Sequence, residues 1–156
     1  MLQLVPMTEK EFRAFRAEDV AHYAQEHVRA GRWSQEESLP LAEHEFDELL
    51  PDGVATPKHY LFSLKDEALG TEVGRLWFAV HEEGGEATAF VYNIVIFEAF
   101  RRQGYGMQAM QALEEKVREL GLSNISLHVF GHNHAARAMY EKLGYATTNV
   151  MMRKAL

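Results

Sequence analysis

Apolar positions along this chain change period several times, and the changes divide it into elements. Leu2 to Pro6 has the pattern of a short first strand, and Thr8 followed three residues later by Glu11 has the spacing of a helix-starting capping box. Phe12, Phe15, Tyr23, His27 and Val28 then fall on or near one stripe of a helix that ends by Gly31. A second helix is predicted from Gln35 to Leu50, stopped by Pro51, Asp52 and Gly53. From His59 the period shortens. The runs His59 to Leu64, Glu72 to Val80 and Ala87 to Phe97 read as three successive strands, and the polar turns at 66–70 and 82–85 make an antiparallel meander the economical arrangement.

Helical spacing returns at Met107, Met110, Leu113, Val117 and Leu120, with Gly121 as a stop. Ile125, Leu127 and Val129 then alternate with Ser126, His128 and Phe130 as a further strand. Because a helix separates it from the strand before, the two are expected to be parallel. Asn133 to Leu143 reads as a last helix capped by Gly144, and Tyr145 to Arg153 as a closing strand or hairpin. No repeat, low-complexity tract or linker interrupts this order, so residues 1–156 are read as a single domain of the α+β class.

Composition narrows the chemistry. The chain has no cysteine, which excludes disulfides, thiolate metal sites and a cysteine nucleophile. Its net charge of −7 argues against an extended nucleic-acid surface, which needs clustered Lys and Arg. The charge is uneven: residues 1–60 carry 12 acidic and 6 basic side chains, whereas residues 61–156 carry 11 and 10. The acidic part is the predicted helix pair, and it serves either as a solubilising face or to attract a cationic partner. No run approaches the roughly 20 apolar residues of a membrane-spanning helix. The first residues also lack the basic start and apolar run of a secretory signal, so a soluble cytoplasmic protein, monomer or homodimer, is the expectation.

The run Arg101-Arg102-Gln103-Gly104-Tyr105-Gly106-Met107 lies between the apolar strand ending at Phe97 and the amphipathic helix after it. A strand, a glycine loop and a helix in that order make an anion-binding device: the first helix amides lack partners, and glycine lets a phosphate approach the backbone. Gly104-x-Gly106-x-x-Ala109 also fits a permissive Rossmann pattern. A Rossmann unit, however, places a ribose-binding acid about 20 residues on, where this chain reads Leu127-His128-Val129-Phe130. The phosphate loop of nucleoside triphosphatases fails because no Gly-Lys-Ser/Thr follows. The plain structural reading is a tight strand-to-helix turn.

A second constellation weighs against that plain reading. On the predicted helix from Asn133, Ala136 and Tyr140 lie one turn apart on the face that holds Asn133, and the small residues before Tyr140 leave room beside its phenol. Alone, Asn133 would be an N-cap and Tyr140 a core residue with a surface hydroxyl. His128, His132 and His134 are close in sequence, but the strand and helix start should point them apart, so no metal site is assigned. Trp33, Trp77, Tyr60, Phe62 and Phe78 are read as core or groove wall.

With both constellations in order, the chain resembles the GNAT superfamily of N-acetyltransferases. The signature Gln/Arg-x-x-Gly-x-Gly/Ala is met by Arg101-Arg102-Gln103-Gly104-Tyr105-Gly106, and Asn-x-x-Ala-x-x-x-Tyr-x-x-x-Gly-Phe/Tyr by Asn133, Ala136, Tyr140, Gly144 and Tyr145. The resemblance implies a mixed, mostly antiparallel sheet with flanking helices, in which a parallel strand pair ending near Phe97 and Phe130 splays to admit acetyl-CoA. It implies that Val95 and Ile96 pair with pantetheine amides and that the amides of Gln103, Gly104, Tyr105, Gly106 and Met107 bind the pyrophosphate. Arg101 and Arg102 would add charge, and Asn133 and Arg137 would reach the pantetheine or adenosine end.

The implied reaction is direct attack of a primary amine on the thioester, with Tyr140 as general acid and no metal. An alkylamine with a pKa of about 10 must lose a proton first. Many members use a carboxylate on the strand before the loop, and residues 87–97 contain none. Tyr92, Asn93 and Glu98 are the candidates nearby. The acceptor, a small molecule or a peptide Lys or N-terminus, is expected to be cationic, in keeping with the acidic helix pair. The alternatives are a CoA-binding sensor or pseudo-enzyme without an efficient base, and a fold used for protein association.

Overall fold

The first two helices begin where their own side chains satisfy their free amides. Thr8 Oγ1 accepts from the Glu11 amide (3.1 Å) and Glu11 Oε1 from the Thr8 amide (2.9 Å), and Ser34 and Glu37 repeat the arrangement. These caps start α1 (Glu9–Arg29) and α2 (Gln35–Leu49) in the computed structural model, which describes residues 1–156. The remaining elements are β1 (Leu2–Pro6), β2 (His59–Asp66), β3 (Thr71–Glu83), β4 (Glu86–Ile96), α3 (Tyr105–Glu119), β5 (Ile125–Leu127) and α4 (His134–Lys142).

The strands form one sheet in chain order, β1 to β5. The first four are antiparallel, and β5 runs parallel to β4 after the α3 crossover. This is the expected α+β architecture. Strand alternation gives the sheet two apolar faces, each with its own core. Phe62, Leu64, Leu76, Phe78 and Val91 pack against Tyr105, Ala109, Met110, Leu113 and Val117 of α3. On the other face, Leu61 and Trp77 pack against Phe12, Phe15 and Val20 of α1 and Ala42 and Phe46 of α2.

Two expectations fail. The last strand ends at Leu127 rather than continuing to Phe130, because its chain diverges from β4 after the pair Val91 and Leu127. The segment from Tyr145 forms no strand or hairpin: Met151 and Met152 are 98% and 89% exposed, and Arg153 Nη1 donates instead to the Gly31 carbonyl (2.9 Å). Apolar alternation supplies a face for burial, but a strand also needs a neighbour to complete its ladder.

Candidate active site

The divergence of β5 from β4 opens the site. Their ladder covers only Ala89 with Ile125, Phe90 with Ser126 and Val91 with Leu127, while β4 continues to Ile96 paired with β3 alone. From Tyr92 onward, one edge of β4 therefore has no strand partner, and we call this unpaired edge the slot. A bulge lies at its start, where Trp77 pairs with Asn93 and Phe78 with Val91, leaving Tyr92 as the extra residue.

Backbone alternation separates the two residues assigned to the cofactor on β4. A Cβ added to Gly74 of β3 would collide with the Val95 carbonyl, so that carbonyl faces β3. The Ile96 carbonyl turns the other way and accepts from Arg101 Nε at 3.0 Å. Ile96, not Val95, directs its carbonyl to the slot side, where Arg101 occupies it.

Beyond the slot, Gly104 takes φ +83° as the N-cap of α3, a conformation that favours glycine, and Arg102 sits at φ +63°. No amide from Gln103 to Met107 donates a hydrogen bond within the chain, so this turn presents several free donors at a helix N-terminus. A Cβ at Gly106 would meet Met139 Sδ of α4 at 3.3 Å, whereas one at Gly104 would meet nothing within 4 Å. Glycine is thus favoured for conformation at 104, while at 106 it gives the flexible Met139 side chain room to pack close. The donor set and the open space above Gly104 fit a diphosphate. Of Tyr105 only the amide is available to a ligand, since its buried side chain donates to Asp66 Oδ2 (2.7 Å). The Gln103 side chain lies 3.5 Å from the Ala99 carbonyl, at the edge of hydrogen-bonding range.

On α4, Asn133 Oδ1 caps the helix by accepting from the Ala136 amide, and Arg137, one turn on, has no ion pair. Tyr140 packs against the α3-side core and its hydroxyl makes no hydrogen bond. Burial pushes its phenol above the ordinary value, so it holds its proton at neutral pH. Tyr145 beside it, with ring centroids 5.7 Å apart, is pushed up to about 12 by burial, then by Glu114 and Tyr140.

The candidate bases fare differently. The Tyr92 hydroxyl is 2.8 Å from His81 Nε2, and Asn93 donates its side-chain amide to Asp19 Oδ1 of α1. The sequence pattern does not single out Asp19, although it sits four residues after Phe15 and four before Tyr23, on the stripe that faces the sheet. A carboxylate in an apolar stripe was the signal. Desolvation raises it to about 7, against the opposing effect of the Asn93 bond. Glu98 lies in the short turn after β4. Further along α1, Glu26 meets His132 at 2.5 Å, while Tyr23 donates to Glu45 of α2 at 2.9 Å. No group of three His, Asp or Glu side chains converges to hold a metal, and no helix is long and apolar enough to cross a membrane.

A mixed sheet opened between two parallel strands, with a glycine turn and unpaired helix amides at the end of the opening, is the architecture of the GNAT class of acetyltransferases. The acetyltransferase (GNAT) family profile matches residues 19–145, and the chain belongs to that family. Among its relatives is YycN of Bacillus subtilis (strain 168), an uncharacterized N-acetyltransferase 41% identical over 155 residues, covering 99% of each chain. The uncharacterized N-acetyltransferase YdgE of the same organism is 37% identical over 153 residues, covering 98% of this chain and 97% of its own. The crystal structure of YycN superposes with a TM-score of 0.95 over 100% of this chain and 99% of YycN, at 40% identity.

Proposed function

We propose that this protein transfers an acetyl group from acetyl-CoA to a primary amine by direct attack on the thioester. The observation that carries the reading is the unpaired edge of β4 beyond Val91, followed along the chain by the free amides of Gln103 to Met107. An extended chain ending in a diphosphate matches that shape and that donor pattern. In this reading the amides hold the diphosphate, Arg101 and Arg102 add charge to that end of the site, and the β4 edge at Ile96, whose carbonyl accepts from Arg101 Nε, meets the pantetheine. On α4, Arg137 and the side-chain amide of Asn133, neither of which has a partner within the chain, are assigned to the same ligand.

Tyr140 is the proton donor in this reading. Attack on the carbonyl expels a thiolate, whose ordinary pKa is about 8.5. A phenol kept protonated by burial can stabilise the developing sulfur charge by a hydrogen bond and then protonate it. The acceptor is proposed to be cationic, because α1 and α2 carry most of the acidic excess and α1 borders the slot.

Thermal melting with and without acetyl-CoA tests the first half of the proposal, since a ligand that binds only the native state must raise stability. A concentration-dependent rise is expected with acetyl-CoA. Thioester turnover across a panel of amines tests the second half. Binding without turnover of any amine would instead favour a CoA-binding sensor.

A further inference from the structure

Asp19 is placed for chemistry by three features that do not depend on one another. It lies on the sheet-facing stripe of α1, it is bonded to Asn93, and Asn93 stands two residues past Val91, the last β4 residue paired with β5. The carboxylate therefore lies at the start of the splay on the α1 face. The α3 helix, whose first turn presents the free amides, packs on the opposite face. A thioester arm that enters from the α3 side and fills the slot ends beside Asn93 and Asp19.

We propose that Asp19 is the base that takes the proton from the acceptor amine, with Asn93 as the residue that positions it. This rests on the acetyltransferase reading above. The bound ammonium gives one proton to the Asp19 carboxylate, which passes it to solvent. The freed nitrogen lone pair forms the C–N bond to the acetyl carbon, and the C–S electrons leave on sulfur. The second nitrogen proton is lost as the thiolate gains one through Tyr140. The products are the amide, the CoA thiol and one released proton.

The charged and titratable groups around Asp19 are engaged elsewhere. Glu18 pairs with Arg75 of β3, Arg16 with Asp47 of α2 and Glu26 with His132 beyond β5. On the sheet, Tyr92 meets His81 and Trp77 donates to His59. His27, whose own pKa is lowered by burial, packs among Tyr23, Trp33 and Phe130. No cation neutralises the Asp19 carboxylate. Burial thus holds its pKa at about 7, where it is both basic and largely ionised at physiological pH.

The test compares the full-length wild type with Asp19→Asn and Asn93→Ala, using acetyl-CoA and an alkylamine that the wild type acetylates. Wild-type kcat/KM for the amine is expected to rise with pH and level off above about 7, because this parameter follows the ionisation of the free enzyme. Asp19→Asn should lose about a hundredfold or more in kcat at neutral pH. It should also lose that plateau and keep rising toward the amine's own pKa of about 10. Asn93→Ala removes the bond that lowers the Asp19 pKa, so its break should move to higher pH.

A second readout needs no turnover. Because the folded pKa exceeds the unfolded value, the native state binds the Asp19 proton more tightly, and this group's contribution to stability falls as pH rises from about 4 to about 7. Asp19→Asn should therefore melt higher than wild type above pH 7 and show no such advantage below pH 4. Retention of the rate break in Asp19→Asn, or kcat within about threefold of wild type, overturns the assignment. Should Asp19→Asn fail to fold, an unmoved break in Asn93→Ala overturns it. A wild type that acetylates no amine overturns the acetyltransferase reading and this inference together, whereas normal turnover with an unaltered Asp19→Asn profile overturns this inference alone.

Discussion

At the scale of single residues, Gly104 and Tyr140 should separate binding from chemistry. Gly104 holds a left-handed backbone at the N-cap of α3, where a β-branched side chain is strained although the space beside it is open. Gly104→Val is expected to raise the dissociation constant of acetyl-CoA at least tenfold, read by calorimetry, through loss of the turn that aims the amides. Tyr140→Phe keeps the ring and its packing. It should leave that constant within about twofold and lower kcat by about a hundredfold, as expected for a lost proton donor. Unchanged turnover of a good acceptor by Tyr140→Phe would remove the phenol from the mechanism. The two glycines of the loop were legible in the sequence as a pair, yet they act for different reasons, which only their surroundings reveal.

At the scale of elements, β4 organises the site. Its bulge at Tyr92, its free edge beyond Val91 and its register with β3 fix where the slot begins and which carbonyls line it. Gly74 is the β3 residue that allows this register, since any Cβ there would meet the Val95 carbonyl. Gly74→Ala is expected to destabilise the chain by about 1–3 kcal/mol, measured by denaturant titration, as overpacking of a rigid backbone contact does. The same substitution should weaken acetyl-CoA binding, because β4 moves as a unit. Hydrophobic period located β4 and the α3 helix well, since each buries a continuous face. It overextended β5 and gave the tail after Tyr145 a strand, because period reports burial and not the presence of a hydrogen-bonding neighbour.

At the scale of the whole molecule, the two faces of the sheet divide the work. The α3 and α4 side carries the glycine turn, Arg137 and Tyr140, and the α1 and α2 side carries Asp19 and most of the acidic excess. If that excess guides the acceptor, cationic amines should be acetylated with a higher kcat/KM than neutral or anionic amines of equal size. The difference should shrink as salt is raised to about 1 M, where screening acts within a few ångströms. Equal rates for cationic and anionic amines at low salt would show that the charge serves only as a solvated surface.

The amino-acid sequence determined the order and type of nearly every element, the glycine turn, and the helix bearing Asn133 and Tyr140. These are local properties: period, caps and turn residues act within a few positions of one another, so they can be read along the chain. It also placed Asp19 on the buried stripe of α1, but gave that carboxylate no partner. Its meeting with Asn93, 74 residues away, depends on α1 crossing the sheet over the bulge of β4. The opposed carbonyls of Val95 and Ile96 and the early end of β5 were likewise decided by register and strand divergence. Such features are set by the packing of distant segments, and only the tertiary structure brings those segments together.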